Sequence, residues 1–441
     1  MIDGASRPFL YERRERILEG RITEFLLRPL HWLISAPTVL FLAALTAMLL
    51  RHPDVQFYEI DRVAFLLLVL GVVGRAVVLR RPLIAWERAS WPMLALTLLA
   101  LGSEAGRSFD HETWSLLASK LIVPFAIFHL AGMVFAEEKS LGRFETFALV
   151  VLAYLSFTAI AFLIGAHSLI FPRFILDESL GFHADRARGP LLQAVANGVS
   201  LNMLGIVAWH AYKRGAKRGV WMVALLASLP VAILATMTRA VWLSFAGTVV
   251  ALIFLSENAR FRRRAWVALL VVSAVGCGLI LSCHEFAGSL NERFEEQGPV
   301  DFRKAVYAGG WEMFFERPLL GWGFHRMPAE LPRFVSGYEE KVLYPHNTYL
   351  ELLVEQGLLG FAVYLWLMWE LWRLGRGKTP ESGGKGFLNH DFHRMWPIVL
   401  ALYWVNAALV VMSYQFVNGL LFAMAGMLAG QRRRAEAAYP C

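Results

Sequence analysis

His346 lies in the run Tyr344-Pro345-His346-Asn347-Thr348-Tyr349-Leu350, where a polar, aromatic-rich stretch gives way to a long apolar one. An imidazole titrates near neutral pH. At such a boundary it can deprotonate or orient an acceptor hydroxyl, an effect typically worth about 10²–10⁴ in rate. Arg303 and Arg239 are the cations best suited to work with it. Arg239 ends the short stretch Thr236-Met237-Thr238-Arg239 between two apolar runs, and an arginine there is costly unless it faces a cavity or an anion. Arg186 and Arg188 precede Gly189-Pro190 at the mouth of another apolar run that carries Asn197. Proline at a helix start, with backbone N–H groups beside arginines, suits a phosphate. Guanidinium forks match phosphate oxygens bidentately, so these four arginines can converge on one anion such as a pyrophosphate. Glu355 is a carboxylate inside an apolar run and a candidate on that ground. Tyr307, Asn347 and Tyr349 complete the expected substrate-binding set, and His183, His284 and His325 are rival imidazoles. Each of the main candidates also has a structural reading. Arg239 can snorkel to a lipid phosphate, His346 and Asn347 can cap a helix, Arg186, Arg188 and Arg303 can be solvated, and Glu355 can pair with a buried cation.

The elements that must position these residues are apolar helices. The 441 residues are 57% hydrophobic and 18% charged, with mean hydropathy +0.49. The fold expected is an all-α polytopic membrane protein. Twelve spans fit the pattern: about 29–50, 61–79, 83–102, 114–135, 144–165, 190–211, 219–236, 240–256, 265–282, 347–372, 395–412 and 415–431. The short basic segments, from Arg80-Arg81 to Arg432-Arg433-Arg434, all fall on one side if every span crosses. By the positive-inside rule that side is the cytoplasm and holds both termini. The domain organisation expected is spans 1–9 over 1–282, an external loop region over 283–346, spans 10–12 over 347–431, and a tail over 432–441. Within the loop, 302–316 reads as an amphipathic helix with Phe302, Val306, Trp311, Phe314 and Phe315 available to an apolar surface. Arg303, Tyr307 and Gly310 recur on one face of it.

The net charge of +8 needs no nucleic acid, because basic loops account for it. No cleavable signal is expected, since the first 28 residues are polar and carry six arginines. The three cysteines lack metal-ligand spacing. There is no phosphate-binding glycine loop, HExxH or external acidic pair for Mg²⁺, so no metal and no cofactor is expected, and arginine would take the cation's place.

Gly310-Trp311, Pro318-Leu319-Leu320-Gly321-Trp322-Gly323, Pro345-His346-Asn347-Thr348-Tyr349-Leu350 and Glu355-Gln356-Gly357 resemble the O-antigen ligase/polymerase superfamily of membrane glycosyltransferases. Arg186-Ala187-Arg188-Gly189 with Asn197, and Thr238-Arg239, are similar to two further arginine motifs of that group. The resemblance implies a GT-C-like transferase in the inner membrane of a Gram-negative bacterium, with its site facing the periplasm. It implies glycan transfer from undecaprenyl pyrophosphate to a lipid A–core hydroxyl, with inversion. In that scheme Arg239 and Arg303 hold the pyrophosphate, Arg186 or Arg188 helps, and His346 activates the acceptor. Polymerisation of repeat units and protein O-glycosylation belong to the same group, while a non-catalytic lipid-linked glycan transporter is the reading from a different class. The single dominant external loop leans toward the ligase, and clustering of charge at one face disfavours a transporter. Oligomeric state is open.

Overall fold

The computed structural model describes residues 31–51, 60–80, 82, 86–108, 110–181, 183–216, 219–260, 262–267, 270, 298–336, 342–376 and 386–438. Regular structure among them is helical: α1 (Pro37–Leu49), α2 (Ile60–Val78), α3 (Ser90–Glu104), α4 (His111–Val134), α5 (Glu138–Leu163), α6 (Ala194–Lys213), α7 (Val220–Ala235), α8 (Arg239–Phe254), α9 (Gly298–Glu316), α10 (Met327–Glu330), α11 (Thr348–Leu374), α12 (His390–Ala407) and α13 (Gln415–Ala438). Short 3₁₀ turns lie at His167–Leu169, Arg173–Leu176, Gly189–Leu191 and Leu331–Arg333.

Side-chain caps mark several helix starts. Asp110 accepts from the N–H groups of Glu112 and Thr113 at α4, Asn347 from Tyr349 and Leu350 at α11, and Asn389 from Phe392 at α12. Each capping oxygen satisfies amide groups that have no partner within their own helix. Among the described residues α4, α5 and α11 are long and apolar enough to cross a membrane, and α1, α7 and α8 are shorter apolar helices. Helices occupy eleven of the twelve expected span positions. The expected span 265–282 and His284 lie outside the described residues, apart from 265–267 and 270.

The helices sort by burial. α6 is covered on nearly every face, including Asn197, Ser200, Asn202 and His210, and so forms the centre of the bundle. α2 instead leaves Val63, Leu66, Leu70 and Val77 exposed along one stripe, as a lipid-facing helix would. α4 and α13 approach closely because Gly132, Gly426 and Gly430 meet backbone to backbone; a Cβ on Gly430 would lie 2.7 Å from the Gly132 carbonyl. Such small-residue seams are how apolar helices associate where hydrophobic burial gains little. Ion pairs tie the end bearing the basic loops, among them Arg214–Glu145 at 2.5 Å and Lys213–Asp391 at 3.0 Å.

At the opposite end the expected 302–316 helix is real but begins at Gly298, and its apolar residues divide between the bundle and the outer surface. Val306, Met313 and Phe314 turn inward with Leu350 and Val354, whereas Trp311 and Phe315 stay exposed beside Leu319 and Leu320. Gly309 and Gly310 decide this. They bring the helix so close that a Cβ on Gly310 would lie 2.9 Å from Leu350, and that face becomes the buried one.

α11 is interrupted at Gly357, whose φ of 63° and ψ of −167° are non-helical. The loop 318–323 fills the break. Trp322 and Gly323 donate to the carbonyls of Val354 and Glu355 at 2.9 and 2.8 Å, while Leu358 and Leu359 donate to Pro318 and Leu319 at 2.8 and 3.2 Å. Broken helices survive at membrane depth where other protein groups satisfy the freed backbone.

Candidate functional site

His346 sits immediately before the Asn347 cap of α11, with φ +48°. Its ring meets the Phe302 ring edge to face at 6.4 Å. The residue is exposed, with protein packed against one side of the imidazole. Desolvation foremost, then the charge of Arg303, then His183, hold its pKa below the ordinary histidine value. A neutral imidazole at neutral pH is the form that can accept a proton. Arg303 is half-buried on α9, whose inner face packs through Gly310 on Leu350 of α11. Tyr307 packs against the same apolar cluster.

The first arginine motif divides into two roles. Arg188 is 1% exposed. Its Nε donates to the Ile175 carbonyl at 3.0 Å, and its two terminal nitrogens donate to the Leu180 and Asp177 carbonyls. That guanidinium braces the 175–180 loop. Asn197 donates to the Ala187 carbonyl at 2.8 Å, while its buried Oδ1 has no hydrogen-bond partner. It packs under Gly189, where a Cβ would fall 2.8 Å from the Asn197 Oδ1. Arg186 is half-buried and its Nε lies 3.6 Å from Asp185. The Ala187 N–H donates to Ala235 at 3.0 Å, tying this segment to the turn that leads into α8. Arg239 is the exposed first residue of α8, where helix N-termini favour anions. Thr238 bonds back to Thr236 at 2.8 Å. α6 and α8 touch where a Cβ on Gly198 would collide with Val241.

Three further candidates make bonds within the protein. The Asn347 side chain caps α11. The Tyr349 hydroxyl donates to the Trp404 carbonyl at 3.0 Å, and its ring meets those of Phe361 and Tyr364. Glu355 is 3% exposed and accepts from the backbone of His325 and Met327. The Asn347 and Tyr349 groups thus also serve the fold, while the buried Glu355 Oε1 has no hydrogen-bond partner. Glu355 also lines a cavity of about 90 Å³ with Lys120, Glu351 and Gln356, room for a few waters. Reading the sequence missed Lys120, which lies within an apolar run and belongs to no motif; its charge inside that run was the available signal. Of the rival imidazoles, the structure brings His183 within electrostatic reach of His346. Burial and Lys120 lower the pKa of His325. Among the described residues no group of three or more His, Cys, Asp or Glu side chains is placed to hold a metal ion.

Residues 221–365 match the family model for O-antigen ligase. Within that stretch fall Arg239, Arg303, His346, the α11 break and Glu355, while Arg186, Arg188, Asn197 and Lys120 lie before it. The O-antigen ligase match therefore takes in α9, α10, the first part of α11 and the arginine at the head of α8, and the preceding helices complete the surroundings. No curated protein matches the chain.

Proposed function

We propose that the chain is a glycosyltransferase of the inner membrane, crossing it about twelve times with both termini in the cytoplasm. It moves a glycan from undecaprenyl pyrophosphate to a hydroxyl of lipid A–core at the periplasmic face. The observation that carries this reading is a neutral-biased His346 beside Arg303, at the mouth of a helix inside the O-antigen ligase match. His346 takes the proton of the acceptor hydroxyl. The hydroxyl oxygen forms its bond to the anomeric carbon as the bond to the pyrophosphate oxygen breaks, which inverts the configuration. Arg303 and Arg239, with Arg186, stabilise the anion that leaves. Arg188 and Asn197 shape the loop that presents Arg186. With guanidinium groups supplying the positive charge, the transfer runs without a metal.

The test uses purified protein, undecaprenyl-pyrophosphate-linked glycan and lipid A–core in EDTA, comparing wild type with His346→Ala and Arg239→Ala. Transfer to lipid A–core by wild type, lost in both variants, supports the ligase. A lengthened donor without acceptor transfer means polymerisation instead. No transfer by folded wild type rejects the transferase.

A further inference from the structure

Lys120 lies within α4, in a region apolar enough to cross a membrane, where an ammonium is expensive unless it has a task. The helix opens into a π turn over Ala118–Ile122, a local widening found mostly at functional sites. Two contacts converge on that side chain. Its Nζ lies 2.9 Å from Glu351 Oε1, with the two side chains 15% and 9% exposed. It stands 5.8 Å from the centre of the Phe324 ring. It also acts on Glu355, whose carboxyl accepts from the backbone of His325 and Met327. Glu351 belongs to the first turns of α11, just after His346. Phe324 to Arg326 belong to the loop that descends from α9, which carries Arg303, and Met327 opens α10. A second tie fixes the same loop, since Phe324 N–H donates to Ser103 Oγ at 3.0 Å.

Buried ion pairs are weak as stabilisers, and well-packed apolar pairs often replace them without loss. The use that fits this geometry is registration. Lys120 lies outside the stretch that matches the family, yet it supplies the counter-charge to Glu351 within it. We propose that Lys120 is a positioning residue of the transfer site, holding the helix that begins beside His346 and the loop from the Arg303 helix in one register. This rests on the transferase reading above.

The test measures kcat and donor KM in the full-length protein with the same donor and acceptor. The variants are Lys120→Met, Glu351→Gln and the exchange Lys120→Glu/Glu351→Lys. Misplacing His346 against Arg303 by about 1 Å lowers kcat by about 10–100-fold in each single variant. Donor KM stays within about two-fold, because the pair contributes no binding common to ground and transition states. The charge exchange recovers much of the lost kcat. Wild-type kcat in Lys120→Met overturns the proposal, as does an exchange no faster than the single variants. Should Lys120→Met fail to fold, the apolar pair Lys120→Met/Glu351→Leu decides: wild-type kcat overturns registration by charge, and a folded, slowed enzyme supports it. Absence of transfer by the wild type would reject the transferase reading itself and is read separately.

Discussion

Replacing Gly357 with alanine should be among the most damaging single-methyl changes in the chain. At φ 63° and ψ −167° a residue with a Cβ carries a backbone cost of about 1–3 kcal/mol. The added methyl would also overlap the Leu319 carbonyl, so the 318–323 loop must retreat. Its retreat weakens the two bonds that Leu358 and Leu359 donate to Pro318 and Leu319. At about 0.5–1.5 kcal/mol each, they add about 1–3 kcal/mol. The sum is about 2–6 kcal/mol. Even its lower end changes the folded-to-unfolded ratio about thirty-fold. Equilibrium unfolding in mixed micelles measures it, with Gly247→Ala in α8 as the control. A Cβ at Gly247 meets nothing within 4 Å, so that alanine should be neutral or gain up to about 1 kcal/mol from helix propensity. A cost below about 1 kcal/mol for Gly357→Ala, or one equal to that of Gly247→Ala, would refute the argument that the break is held by steric fit.

His346→Ala should lower kcat by about 10²–10⁴, with His183→Ala far milder, in the same transfer assay. The acid limb of kcat/KM should fall below the ordinary histidine value of about 6.5, because the working form is neutral and its surroundings disfavour the cation. Arg303→Gln removes one of those disfavouring charges, so the limb should move up; a limb that moves down, or stays, would deny the proximity. Arg188→Ala should cost about 3 kcal/mol or more, since three carbonyls lose a charged donor. Arg186→Ala should leave unfolding within about 0.5 kcal/mol of wild type while raising donor KM.

Much of the scaffold was legible because an apolar run long enough to cross a bilayer has little choice but helix. Start signals were local as well. Asn347 caps α11 through atoms two and three residues away, and α9 forms where its pattern placed it. The face that α9 buries was not legible, since Gly309 and Gly310 act through a partner helix remote in sequence. For the same reason Arg186 and Arg188 looked equivalent. They are two residues apart, yet the second one's partners come from Ile175, Asp177 and Leu180, which curl back around it.

By itself the sequence determined an all-helical apolar chain and an imidazole and several arginines at one end. It also carried the glycine-rich motifs that associate the chain with the O-antigen ligase family, because residue type and short-range periodicity encode these. Only the tertiary structure decided which of those residues remain available. It set Arg303 and His183 around His346, committed Arg188, Asn197, Asn347 and Tyr349 to internal bonds, and brought Lys120 against Glu351. The last pair is separated by 231 positions. Such partnerships depend on how helices cross and where their backbone opens, and those are set by packing across the whole bundle.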